Sequence, residues 1–206
     1  MTISAKEGLE RLREGNRRFV QGQQGTDKRV NHAPLTVSAE RQSPFAIILG
    51  CSDSRVPAEL VFDQGLGDLF VIRVAGNVVN PSHAGSAEFA AQNFGTRLVV
   101  VLGHSNCGAV GATIDTIEKG AEVESPNLRS IVDAIRPGVE PLMQTELAND
   151  RDELFSAAVK ANIQTSVAEL KRGPGVLDHL IRTDGLVVIG AEYSLQTGEV
   201  EFFEAS

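Results

Sequence analysis

Residues 45–55 read FAIILGCSDSR and residues 98–107 read LVVVLGHSNC, so in both places an apolar run leads directly into a short polar motif. Apolar runs that alternate with helical patterns are typical of parallel strands covered by helices on both faces. The two cysteines of the chain, Cys51 and Cys107, lie in these polar motifs. Because ligands of such sheets bind at the carboxyl ends of the strands, the sequence predicts a functional site where the two motifs meet.

The pattern around the two motifs predicts an α/β fold with a mainly parallel central β-sheet flanked by helices and with C-terminal edge strands. We expect a single domain over residues 1–206, with an N-terminal helical arm and loop (1–43) and an α/β core (44–206). The predicted strands are 45–50, 69–74, 97–102, 185–193 and 199–203. The predicted helices are 5–20, 57–62, 83–94, 107–118, 126–136 and 149–171, and a further short helix begins near Pro174.

The predicted N-terminal helix has a narrow apolar stripe. Ser4 and Glu7 form the pattern of a capping box at its start. The helix offers few apolar contacts, among them Leu12 and Phe19, and it carries several arginines. We expect this arm to pack on a partner subunit, with packing on its own domain as the alternative.

Composition excludes several classes of function. The net charge of -8 argues against nucleic acid as a partner, because phosphate binding requires a basic surface. No segment has the roughly 18 consecutive apolar residues that a membrane helix needs, and residues 1–6 lack the apolar core of a signal peptide. We therefore expect a cytoplasmic protein with no membrane partner, in which a reducing environment keeps both cysteines as thiols.

Cys51, His104 and Cys107 make a three-ligand set for Zn²⁺ that leaves a fourth position open, as in catalytic zinc sites. The spacing of His104 and Cys107 predicts that both lie on one turn at the start of a helix, where the helix dipole helps to hold Cys107 as thiolate. The glycine-rich run over residues 103–111 lacks the glycine order of a nucleotide-binding loop, and the chain has no Cys-x-x-Cys redox pair.

Asp53 and Arg55 are predicted to act beside these ligands, in one of two ways. Asp53 can take the fourth zinc position and close the site, or it can form a bidentate salt bridge with Arg55 and leave that position to water. In the second arrangement Asp53 is catalytic, because it accepts a hydrogen bond from zinc-bound hydroxide. If Asp53 moves between the two arrangements, activity should rise with pH.

The two motifs together resemble those of the β-class carbonic anhydrases, in particular the plant-like branch. Residues 14–19 (EGNRRF) and 62–73 (FDQGLGDLFVIR) extend the similarity, which covers roughly residues 5–112. The resemblance implies that Cys51, His104 and Cys107 bind zinc and that Asp53 and Arg55 form a gating pair.

Further residues match the substrate pocket of that family. Gln42, nine positions before Cys51, matches a glutamine that binds substrate or bicarbonate in the plant-like branch. Phe70 and Phe89 match residues that line the carbon dioxide pocket. Gly108 would allow close approach of the backbone to the zinc site.

The resemblance implies a function: reversible hydration of carbon dioxide to bicarbonate and a proton, by attack of zinc-bound hydroxide. The expected partners are these two small molecules and further copies of the chain, in a homodimer or homotetramer. One alternative is hydrolysis of carbonyl sulfide or carbon disulfide on the same zinc site. The other is a non-catalytic oligomeric scaffold in which Asp53 closes the zinc.

Overall fold

A computed structural model describes residues 3–26, 42–120, 122–172 and 175–203. These residues form a five-stranded sheet in the order β2-β1-β3-β4-β5. The strands are β1 (Ala46–Gly50), β2 (Leu69–Arg73), β3 (Leu98–His104), β4 (Val187–Tyr193) and β5 (Val200–Phe202). The first four are parallel, and β5 is antiparallel to β4 at one edge. The α/β fold with a mainly parallel sheet is therefore confirmed.

The central strands β1 and β3 separate two hydrophobic clusters. Successive side chains of a strand point to opposite faces of the sheet. Ile47 and Val99 accordingly belong to the cluster on one face, and Ile48 and Val100 belong to the cluster on the other. Every residue of both strands is buried. Helices cover both faces, which explains why these strands are continuous apolar runs rather than alternating patterns.

All the predicted helices are present, with ends that differ by a few residues from the prediction. They are α1 (Ala5–Val20), α2 (Ala58–Val61), α3 (Pro81–Asn93), α4 (Gly108–Lys119), α5 (Pro126–Val139), α6 (Arg151–Lys171) and α7 (Val176–Thr183). The expected helix start at Pro174 and most of the loop expected before residue 44 lie outside the described residues. Within the described ranges, no helix combines the length and the apolar character needed to cross a membrane.

The N-terminal helix α1 packs on its own domain in this chain. Ser4 caps it by accepting a hydrogen bond from the Glu7 N–H (3.2 Å). Leu12 is fully buried, and Arg18 forms a salt bridge of 2.5 Å with Asp63. This is the second of the two arrangements expected for the arm, and contact of its outer face with a partner subunit stays a prediction.

Candidate metal centre

The ends of two neighbouring strands bring the three predicted ligands together. Cys51 directly follows β1, and His104 is the last residue of β3. Cys107 is the N-cap residue of α4. β1 and β3 are adjacent and parallel, with Gly50 opposite Leu102. The two polar motifs therefore meet at the carboxyl ends of these strands, as the sequence predicts.

His104 lies on a strand, which corrects the expectation that it shares the first helical turn with Cys107. Gly103 and His104 continue the pairing of β3 with Glu192 and Tyr193 of β4. The N–H of the following Ser105 donates to the carbonyl of Tyr193 (3.0 Å). The longer ladder fixes the backbone of His104, so the imidazole is held by the sheet and the Cys107 thiol by the start of α4.

The donor atoms of Cys51, His104 and Cys107 all lie within 4.8 Å of one another. The three residues are 6%, 0% and 1% exposed. In a tetrahedral zinc site with Zn–S of about 2.3 Å and Zn–N of about 2.1 Å, ligand atoms are about 3.6–3.8 Å apart. A small inward movement of the side chains would therefore suffice, and the two thiols and one imidazole fit Zn²⁺.

The imidazole of His104 presents one nitrogen to this cluster. Its Nδ1 lies 2.9 Å from the carbonyl oxygen of Ser105, which places the proton on Nδ1 because a carbonyl only accepts. Nε2 is buried and has no hydrogen-bond partner among the described residues. An unpartnered buried nitrogen is costly, whereas metal-ligating histidines regularly bond through their other nitrogen in this way.

The two cysteines are free thiols that affect each other's protonation. A hydrogen bond with Cys107 lowers the pKa of Cys51 to about 4 in spite of burial, with smaller help from nearby backbone N–H groups. The same bond, together with burial, raises the pKa of Cys107 above its usual range. The N–H groups at the start of α4 oppose that rise, as expected, but do not outweigh it. A divalent cation that displaces the remaining proton would take both sulfurs as thiolates.

Asp53 is held beside the cluster by Arg55. Arg55 donates from Nε and Nη2 to the two carboxylate oxygens, over 2.9 and 2.7 Å, and its backbone N–H donates over 3.0 Å. The hydrogen bonds from Arg55 hold the pKa of Asp53 well below its usual range, so the carboxylate is ionised and acceptor-only. Its Oδ2 is 3.9 Å from Nε2 of His104, which is too long for a hydrogen bond but within reach of the donor cluster.

Arg73 holds the segment that carries Cys51 and Asp53, a role that the sequence reasoning missed. Its Nε donates to the carbonyl of Cys51 (3.1 Å) and its Nη2 to the carbonyl of Asp53 (2.6 Å). The next residue, Val74, accepts from the N–H of Ser52 (3.2 Å). The end of β2 therefore fixes the backbone on both sides of Ser52. The polar side chain that closes an otherwise apolar strand was the available signal.

Of the predicted substrate residues, Gly108 lies beside the donor cluster as the residue after Cys107, whereas Gln42 and Phe70 lie near the start of β1, with Phe70 opposite Ile47. Gln42 is exposed and precedes β1, whereas Cys51 follows it, and a five-residue strand is about 16 Å long. Phe70 and Phe89 contact each other and Phe94, with ring centroids 5.8–6.3 Å apart. A Cβ on Gly108 would meet no atom of the described residues within 4 Å, so these residues leave space beside the N-terminus of α4.

Comparison with known proteins gives a consistent result. A family model described as carbonic anhydrase matches residues 46–200. A carbonic anhydrase of Mycolicibacterium smegmatis is 38% identical over 195 residues, which cover 92% of this chain and 89% of that protein. The sequence similarity therefore spans both polar motifs and most of the fold around them.

Two solved structures show the same fold. The β-carbonic anhydrase CafA of Aspergillus fumigatus superposes with a TM-score of 0.71 at 27% identity, covering 84% of this chain and 81% of that chain. One of two tetrameric β-carbonic anhydrases of Sordaria macrospora superposes with a TM-score of 0.70 at 23% identity, covering 83% and 86%. At that identity the second likeness concerns the fold alone.

Proposed function

The chain belongs to the β-class carbonic anhydrases, and from this premise we propose that it hydrates carbon dioxide reversibly at a zinc ion held by Cys51, His104 and Cys107. One observation carries the proposal. Three buried donor atoms converge within 4.8 Å, and the histidine nitrogen among them has no other partner within the described part of the chain. A core built only for packing would not converge these three groups and leave that nitrogen unsatisfied.

Zn²⁺ at this site would act as a Lewis acid and lower the pKa of a water molecule. The chain contributes positioning and charge. The bond between His104 and the Ser105 carbonyl fixes the tautomer that leaves Nε2 free to bind the metal. Asp53, kept ionised by Arg55, is a fixed acceptor beside the donor cluster. It can accept a hydrogen bond from the attacking water and so direct the lone pair of that water towards carbon dioxide.

The Asp53–Arg55 pair also bears on the scaffold alternative. That alternative requires Asp53 to take the fourth metal position permanently. Both oxygens of Asp53 are instead engaged by Arg55, which favours a position left open for water. Breaking two charge-assisted hydrogen bonds would be needed to close the site.

We further propose that the working unit is a homo-oligomer. Gln42 lies before β1. The aromatic cluster of Phe70, Phe89 and Phe94 lies around β2, which is an edge strand of the sheet. Phe89 is 51% exposed, and Leu60 and Leu66 on the preceding segment are more exposed still. Since Gln42 precedes β1 and the ligands follow it, a role for Gln42 in substrate binding would require Gln42 of a second copy. The tetrameric relatives of Sordaria macrospora are compatible with this.

The test is stopped-flow carbon dioxide hydration at pH 7 and 8.5, on protein whose zinc content is measured. We expect turnover proportional to bound zinc, lost on chelation and restored by Zn²⁺. Carbonyl sulfide and carbon disulfide are assayed on the same sample. Hydrogen sulfide release without carbon dioxide hydration would assign the site to a sulfur analogue. A fully zinc-loaded protein that turns over none of the three gases would contradict catalysis and favour the scaffold.

A further inference from the structure

The turn that follows β2 makes a hydrogen bond to the first cysteine. Ala75–Asn77 form a short 3-10 turn in which Gly76 and Asn77 have left-handed backbone angles, with φ of 70° and 46°. The N–H of Gly76 donates to Sγ of Cys51 over 3.4 Å. This is a hydrogen bond to the sulfur that the proposed function makes a zinc ligand.

Position 76 does not accept a residue with a side chain, so the backbone here is not restricted by one. Its left-handed φ is a conformation that other residues rarely adopt. A Cβ there would also lie 2.8 Å from Cδ1 of Ile135 and 3.1 Å from Cβ of Ala109. The direction of the Gly76 N–H therefore depends on contacts that residues outside the turn make with the Gly76 backbone.

Asn162, in the middle of α6, holds that backbone. Its Nδ2 donates to the carbonyl of Gly76 over 2.8 Å, across 86 positions of sequence. Because a carbonyl only accepts, the atom that faces it is the amide nitrogen. Asn162 is 1% exposed and lies between the buried Val159 and Ile163, on a buried face whose other polar residue is Ser166. Burying an amide is costly unless it is hydrogen-bonded, and the Asn162 side chain is held through Nδ2, since its Oδ1 has no hydrogen-bond partner among the described residues.

We propose that Asn162 is a positioning residue of the metal centre. By holding the carbonyl of Gly76 it fixes the conformation of that residue and directs the Gly76 N–H at the Cys51 sulfur. A hydrogen bond to a ligating sulfur orients the ligand and withdraws electron density from it, which leaves the metal a stronger Lewis acid. The inference rests on the proposed function, because it requires Cys51 to bind metal.

The first test is Asn162→Leu, which keeps most of the volume and removes the donor. The control is Ser166→Ala, which truncates another buried polar residue one turn further along α6. Zn²⁺ affinity is measured by competition with a chromophoric chelator. The sulfur-to-metal charge-transfer band is recorded on the Co²⁺-loaded protein. We expect Asn162→Leu to bind Zn²⁺ about 10- to 100-fold more weakly and to move the band to lower energy, while the control changes neither.

A purely structural Asn162 would give a different result. Asn162→Leu would then lower the unfolding temperature but keep the parent's Zn²⁺ affinity and charge-transfer band, and this outcome would overturn the inference.

A second test needs no substitution and so does not depend on the folding of a variant. The parent is loaded with an NMR-active cadmium isotope. We expect a scalar coupling between the metal and the amide proton of Gly76, transmitted through the Cys51 sulfur, and slow exchange of the Asn162 side-chain amide protons. If the parent binds cadmium without this coupling, the inference fails and the proposed function stands. If the parent binds neither zinc nor cadmium, both fail.

Discussion

Gly15→Ala is expected to destabilise the protein, although alanine is the better helix former. Gly15 lies on the buried side of α1. A Cβ there would be 1.8 Å from the carbonyl oxygen of Phe62 and 2.9 Å from Nε2 of Gln64. Contacts below 3.0 Å are essentially never made by real Cβ atoms, so α1 has to move away from the domain by about 1 Å or more.

The size of the effect follows from what such a movement disturbs. Overpacking against backbone costs about 1–3 kcal/mol. The neighbouring Asn16 makes three hydrogen bonds of 2.9–3.1 Å with Val61, Gly198 and Val200, and each one lost costs about 1 kcal/mol. The helix propensity of alanine returns about 1 kcal/mol. We expect a net loss of about 2–4 kcal/mol, which lowers the unfolding temperature of a chain of this size by about 4–16 °C.

The assay is thermal unfolding followed by circular dichroism, at one protein concentration because association raises apparent stability. Gly85→Ala is the matched control. Gly85 lies on α3, and a Cβ there meets nothing within 4 Å in the described part of the chain, so that variant should gain about 0.5–1 kcal/mol. A Gly15→Ala protein as stable as the parent would refute the packing of α1 on its own domain.

Two further predictions concern the site and pH. Asp53→Asn should lower kcat/KM for carbon dioxide about 100-fold with zinc content unchanged, because it removes a positioned, ionised acceptor. The loss should be similar at pH 7 and 8.5, because Arg55 keeps the pKa of Asp53 far below both values, and activity within twofold of the parent would speak against its role. His83 accepts a hydrogen bond from the N–H of Asn80 through Nδ1 (3.1 Å), and burial lowers its pKa. The unfolded state therefore binds the proton more readily than the folded state. The contribution of neutral His83 to the free energy of unfolding is complete above about pH 6.5 and is lost as pH falls below that value. His83→Gln keeps a capping side chain. As pH is lowered, its unfolding temperature should fall less steeply than that of the parent. Parallel curves of unfolding temperature against pH for the two proteins would exclude the contribution of His83.

The parts of the fold that could be predicted were those set by local pattern. The continuous apolar runs before Cys51 and His104 correctly predicted parallel strands buried on both faces, because β1 and β3 have a hydrophobic cluster on each side. The position of both motifs at strand ends followed from that topology. The resemblance carried by the two motifs is confirmed by the family model over residues 46–200 and by a relative 38% identical over 195 residues.

What the sequence could not give depends on contacts between distant segments. The bond from Asn162 to Gly76 joins residues 86 positions apart, and Asn162 reads locally as an interruption of an apolar stripe. The packing side of α1 is set by three hydrogen bonds of Asn16 and by the absence of a side chain at Gly15, neither of which changes the helical pattern. The place of Gln42 relative to the donor cluster depends on the direction of β1 and on the arrangement of further copies of the chain, so its role in substrate binding stays a prediction.

The central claim is that Cys51, His104 and Cys107 together bind one zinc ion. Zinc-edge X-ray absorption on protein carrying one zinc per chain tests it most directly. We expect a four-coordinate first shell with two sulfurs at about 2.3 Å and an imidazole nitrogen at about 2.0–2.1 Å. Cys107→Ser should lose one sulfur from that shell. A shell without two sulfurs in the parent, or one unchanged in Cys107→Ser, would contradict the account.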